Sequence, residues 1–104
     1  MKHVRQRYLA LKVVGEETVN KEDLMKAVWN AVLQLYGEYG ASQVNLIPVE
    51  VDPERSYAIL RCSHKALEMV RASIASITEI NANPVAIHIV NISGTLKSLR
   101  RKFS

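Results

Sequence analysis

The residues of this chain best suited to act on a charged ligand are the turn Ser93-Gly94-Thr95 and the cations behind it, Lys97, Arg100, Arg101 and Lys102. Gly94 permits backbone angles that other residues resist, and Thr95 is a helix-capping residue type, so a short basic helix is expected to start there. A helix N-terminus offers unpaired amides and the positive end of a dipole, and no acidic residue follows Glu79. Polyanions are the natural partner; a capped terminal helix with solvated cations is the other reading of the same residues. Catalytic constellations are missing. His3, His64, His88 and Cys62 are scattered, and Cys62-x-His64 has no metal specificity. There is no glycine-rich phosphate loop, no nucleophile elbow and no carboxylate pair placed for acid–base work, so the chain alone is not expected to catalyse a reaction and no cofactor is expected on it.

The elements that must position these residues follow from periodicity. Val4 to Val14 alternates as a strand, with Leu9, Leu11 and Val13 on the better core face. Asn20 sits where a cap would, Glu22 and Asp23 complement the dipole, and a helix is predicted from Lys21 to about Tyr36, stopped by Gly37 and Gly40. Gln43 to Asp52 reads as a strand that Pro48 places at an edge. Asp52-Pro53-Glu54-Arg55 is turn chemistry, and Ser56 to Cys62 returns as the hairpin partner. Ser63 is expected to cap a second helix from His64 to about Thr78, ended by Asn81-Ala82-Asn83-Pro84. Val85 to Ile92 is rich in β-branched residues and makes the last strand.

This β-α-β-β-α-β order predicts an α+β, ferredoxin-like (RRM-like) split sandwich: a four-stranded antiparallel sheet of spatial order 4-1-3-2, both long helices on one face, plus a short C-terminal helix. At 104 residues the chain is expected to be one domain, residues 1–104. A lone cysteine fits a reducing cytoplasm, and the opening segment, interrupted by Lys12, resembles neither a signal peptide nor a membrane span. No membrane partner is expected.

Charge is sorted along the chain. Lys2, Arg5, Arg7 and Lys12 lie in the first fifteen residues with no acid among them, and all ten acidic residues lie between Glu16 and Glu79. In the predicted sheet the last strand runs antiparallel beside the first. Lys2, Arg5 and Arg7 are therefore expected to approach Ser93-Gly94-Thr95 and the Lys97 to Lys102 segment, making one patch for a phosphate backbone.

The first helix carries more apolar surface than one sheet needs. Leu24, Val28, Ala31, Val32 and Leu35 form one stripe, and Met25, Trp29, Leu33 and Tyr36 form a second that is expected to meet a protein partner. Packing of that second stripe against the other helix is the competing reading. The face of the sheet away from the helices is expected to carry Tyr8 and, if Arg61 faces out, Tyr57 and Ile59. Aromatics at such places stack bases in RNA-recognition motifs, although the glycine and phenylalanine signature of those motifs is missing here.

RQRYLALKVV at residues 5–14, LYGEYGA at 35–41, YAILRCSHKALEMVRASI at 57–74 and PVAIHIVNISGTLKSLRRK at 84–102 together resemble the ribonuclease P protein component 2 family, and the brevity of the chain suits an archaeal member. Tyr36 and Tyr39 stand where that family often shows phenylalanine. The resemblance implies a ribonuclease P subunit working in removal of the 5′ leader of precursor tRNA. It implies an RNA subunit that performs the hydrolysis with magnesium, and partners that include this RNA, precursor tRNA, protein component 3 and other protein subunits. A heterodimer with component 3, or a heterotetramer, is implied too, with the GEYG loop a candidate for self-association. Two other readings use the same scaffold: a stand-alone single-stranded RNA binder using Tyr8 and Tyr57, and a small-molecule enzyme or regulatory domain.

Overall fold

Alternation along the first strand decides which side of the sheet holds the main core. A computed structural model describes residues 5–103, with side chains through residue 99. Its elements are β1 (Gln6–Gly15), α1 (Lys21–Ser42), β2 (Ile47–Asp52), β3 (Tyr57–Ser63), α2 (Leu67–Ala75), β4 (Glu79–Ile80), β5 (Asn83–Ser93) and α3 (Leu96–Phe103). Leu9, Leu11 and Val13 of β1 join Ala58, Leu60 and Cys62 of β3 and Val85 and Ile87 of β5 beneath Leu24, Val28 and Val32 of α1 and Val70 and Ile74 of α2. Both long helices thus cover one face, as the pattern predicts.

The sheet order is β2-β3-β1-β5-β4 with antiparallel neighbours. The four expected strands keep their expected positions, and β4 adds a fifth at the outer edge of β5. Its origin is the Asn81-Ala82 pair, at φ 55° and 66°. Two consecutive left-handed residues make the tight turn whose twist matches a two-residue hairpin, so Ile80 pairs with Asn83 where only a loop was expected.

Other boundaries moved for local reasons. Asn20 caps α1 as expected, its Oδ1 accepting from the Asp23 amide at 2.8 Å. The helix breaks at Gly37 (φ 73°, ψ −178°), a conformation open essentially to glycine, and then makes a further turn to Ser42. Gly40 lets that turn fold back, since a Cβ there would stand 2.6 Å from Cβ of Tyr36 and 3.1 Å from Cε of Met69. The Ser63 side chain caps no helix. Its hydroxyl donates to the Gln43 carbonyl at 2.9 Å, tying the end of β3 to the end of α1, while a 3₁₀ turn over His64–Ala66 leads into α2. In β2, an edge strand as Pro48 suggested, the register slips between Pro48 and Glu50. This bulge leaves Val49 free to pack on the side of the sheet opposite the main core.

That second side is covered as well. Leu99 of α3 is fully buried against Ala10 and Ile59, with Tyr8, Val49, Tyr57 and Leu96 packed around it. The short C-terminal helix is present as expected, but it lies across the sheet face that the sequence reading leaves open. Leu96 and Leu99, three apart and so on one side of the helix, supply the apolar contact, and the small Ala10 makes room for it.

Because a Cβ at position 37 would meet nothing within 4 Å, Gly37→Ala should destabilise through backbone strain alone, by about 1–3 kcal/mol. Ala82→Gly should stabilise by about 0.5–1 kcal/mol by relieving strain of the same kind. Urea midpoints measure both, and an unmoved midpoint for Gly37→Ala would refute the strain account.

Candidate nucleic-acid interface

Antiparallel pairing of β1 with β5 sets Tyr8 opposite Ser93, Leu9 opposite Ile92 and Ala10 opposite Asn91. The start of the chain therefore meets the turn that ends β5, and Arg5, Gln6, Arg7, Ile92, Ser93, Gly94 and Thr95 line one groove. Arg7 Nη1 donates to the Gln6 carbonyl at 2.9 Å. The same nitrogen stands 3.3 Å from where a Cβ on Gly94 would be, so the guanidinium lies against the turn. Arg5 is exposed, and its carbonyl accepts from the His64 amide at 2.7 Å, which fixes the backbone of this segment.

The turn is built by its hydroxyls. Ser93 Oγ accepts from the Thr95 amide and Thr95 Oγ1 from the Ser98 amide, each at 3.2 Å. Thr95 is thus the cap of α3, as its type predicts. The groove and the positive end of the α3 dipole share this turn. The ion pairs Arg55–Asp52 and Arg71–Glu68 lie elsewhere, both of them solvent-exposed pairs of little energetic consequence.

Of the other expected phosphate contacts, Lys97 is exposed in the first turn of α3. Arg100, Arg101 and Lys102 belong to α3, with side chains outside the described ones, and Lys2 lies outside the described residues altogether. Lys12, grouped with the basic N-terminus by sequence, is at the far end of β1, where its Nζ donates to the Arg55 carbonyl at 3.3 Å. A cation that the sequence leaves conditional, and outside the expected patch, is Arg61. It stands opposite Tyr8 in the sheet, at the same end as the groove and on the α3 side, with its Nε buried and without a hydrogen-bond partner among the described residues. Alternation along YAILRC was the available signal: Arg61 shares a face with Tyr57 and Ile59.

Base stacking on Tyr8 and Tyr57, which the missing RNA-recognition signature already discounts, is opposed further by α3. Both rings are half-buried beside Leu99, Ile59 is fully buried, and the Tyr57 hydroxyl donates to the Glu50 carboxylate. An apolar helix face packed on the rings occupies the surface that bases would need.

On α1, the expected partner stripe divides. Met25 and Leu33 are half-buried against the main core, whereas Trp29 and Tyr36 are each 39% exposed. Leu35, expected in the core stripe, is 49% exposed, and Tyr39 beyond the break is 82% exposed. Leu35 is in line with Leu24, Val28 and Ala31, so its exposure means that the stripe outruns the core beneath it. No group of three or more His, Cys, Asp or Glu among the described residues is arranged to hold a metal ion. No helix among them is long and apolar enough to cross a membrane.

Comparison with known proteins agrees with this architecture. The sequence model of the Rpp14/Pop5 family matches residues 7–104. Ribonuclease P protein component 2 of Pyrococcus furiosus is 34% identical over 99 residues, covering 95% of this chain and 82% of the relative. The protein of the same name from Methanococcus maripaludis is also 34% identical over 99 residues, covering 95% and 75%. Among solved structures, a chain in the cryo-EM structure of yeast ribonuclease MRP superposes with a TM-score of 0.74 over 99% of this chain and 94% of that one. At 15% identity the superposition speaks for the fold.

Cys62 lies under the groove, opposite Arg7 in the β1–β3 pairing. Burial pushes its thiol up from 9.0 to about 11, with the nearby Arg7 charge pulling weakly the other way. The thiol should therefore resist alkylation at pH 8 until the chain unfolds. Above pH 9 the unfolded thiol ionises while the folded one holds its proton, so stability should fall as pH rises from 9.0 to about 11. Cys62→Ala should flatten that fall in alkaline urea titrations; a slope unchanged by the substitution would assign it to other groups.

Proposed function

The chain belongs to the Rpp14/Pop5 family, and from that membership we propose that it is a protein subunit of ribonuclease P, acting in removal of the 5′ leader from precursor tRNA. The RNA subunit carries out the hydrolysis with its bound magnesium, and this chain contributes binding surface rather than a catalytic group. The observation that supports an RNA-facing role is the meeting of Arg5 and Arg7 with Ser93-Gly94-Thr95 at the base of a basic helix. A half-buried guanidinium against the turn at Gly94, an exposed arginine and a helix start all line or border the same groove. Phosphate oxygens fit that combination, because guanidinium groups and helix N-termini both favour them.

Lys97, exposed in the first turn of α3, extends the contact, and Lys2, Arg100, Arg101 and Lys102 add positive charge to the same two segments of the sequence. The half-exposed faces of Trp29 and Tyr36, continuing to Tyr39, form the surface for protein component 3. Met25 and Leu33 back that surface from within, packed on the core. The coverage of Tyr8 and Tyr57 by α3 weighs against a stand-alone single-strand binder, which would need those rings free.

Two variants test the two surfaces. Replacing Arg5 and Arg7 together by alanine should reduce the salt dependence of RNA binding by about one phosphate per charge, and reversing Arg100 and Arg101 should depress precursor tRNA cleavage by the reconstituted enzyme. Unchanged cleavage at physiological salt with a folded Arg100→Glu/Arg101→Glu chain would remove α3 from the interface. Trp29→Asp should abolish co-purification with component 3 without loss of fold, and retention of a tight heterodimer would reassign Trp29 to plain solvent exposure.

A further inference from the structure

The outer side of β5 has a different character from the basic groove. β4 pairs with β5 only through Ile80↔Asn83 and Glu79↔Pro84, and the Val85 amide then donates to the Thr78 carbonyl at 3.0 Å. That bond shows the Val85 amide pointing away from β1. By the two-residue period of a strand, the amides of Ile87 and Ile89 point the same way, ahead of the bulge at Val90. No strand among the described residues pairs with them on that side. Beside this edge runs a groove whose apolar walls are Ala72, Ile74 and Ala75 of α2 and Ile87 and Ile89 of β5.

Charge identifies what the edge can accept. From Ile80 to Leu96 there is no acidic or basic residue apart from His88. Exposed edges are ordinarily blunted by charge, proline or a bulge. Here Pro84 and the Val90 bulge guard only the two ends, and Val85 to Ile89 keeps an unbroken register with β1 between them, His88 being its one ionisable side chain. A nucleic-acid backbone finds no cation there except the Arg71 of the Arg71–Glu68 pair at the rim. A row of outward amides and carbonyls with no strand partner among the described residues is matched by the complementary row of an extended peptide.

We propose that an extended segment of a partner protein subunit adds to the sheet at Ile87 and Ile89. It continues the line of β4 and sets alternate apolar side chains into the groove between α2 and β5. The inference rests on the reading that this chain works inside a multi-subunit particle, and it concerns a surface separate from both the RNA groove and the Trp29 face.

Amide hydrogen exchange of the chain, alone and in an RNA-free complex with the other protein subunits of its ribonuclease P, tests it. The Ile87 and Ile89 amides should exchange at least about tenfold more slowly in the complex, where opening must precede exchange. Ala72→Arg/Ala75→Arg, at exposed helix positions, should keep the wild-type melting profile and lose that protection. Assembly with unprotected amides overturns the strand proposal alone, as does protection that survives the double variant. Protection in the concentrated chain by itself, with a doubled mass, overturns it in favour of a second copy on the edge. Failure to enter any protein complex removes the reading beneath it.

Discussion

The antiparallel ladder between β1 and β5 is the constraint on which the rest depends. It joins the first described strand to the last, from Tyr8↔Ser93 to Gly15↔Val85, and so closes the longest loop in the fold. Its cost in chain entropy is offset only if both strands bury side chains, and they do: Leu9, Leu11 and Val13 face Val85 and Ile87 under the same helices. The basic groove is a by-product of that closure. Arg5 and Arg7 reach the Ser93-Gly94-Thr95 turn because hydrophobic pairing along the strands leaves them there, and charge alone would not have drawn like-charged segments together.

α3 turns this closure into a site with direction. Thr95 starts the helix at the groove, and Leu99 anchors it on Ala10 and Ile59, so the helix must run back over the sheet from the groove. The same contact withdraws Tyr8 and Tyr57 from solvent. One apolar anchor thereby both aims the start of a basic helix at the groove and closes a surface that related architectures leave open for bases. Burying a leucine of this kind contributes roughly 2–3 kcal/mol, enough to keep so short a helix in place when its own propagation is marginal.

Much of this was legible from residue types because the core obeys simple periods. Strand alternation placed Leu9, Leu11 and Val13, helical spacing placed Leu24, Val28, Val70 and Ile74, and strand order followed from handedness and short connections. What was not legible depended on departures from those periods. The bulge at Val90 shifts the core face so that Ile92 joins Ile89, a step that strict alternation forbids. The bulge at Val49 moves that residue to the α3 side in the same way. Nothing in Asn81-Ala82 announces a left-handed pair as Asn-Gly would, so β4 was read as a loop. Ser63 looked like a cap because serine is a cap residue, but a carbonyl made available at Gln43 competes for the same hydroxyl. The groove was foreseen because it needed only topology and charge, whereas Arg61 was left conditional because it needed to be known which face a strand turns outward.

The molecule divides its outward chemistry between ends of opposite kind. At the Ser93–Thr95 end, cations and a helix dipole converge on a glycine turn; along the outer side of β5, outward amides run beside a mostly apolar groove with the Arg71–Glu68 pair at its rim. These are different demands on a partner. A polyanion gains from the first and nothing from the second, while an extended peptide gains from the second and is indifferent to the first. Exposed Trp29 and Tyr36 add a third face of amphipathic aromatics on α1. The described residues of this small chain thus present three faces whose chemistry suits three different classes of neighbour.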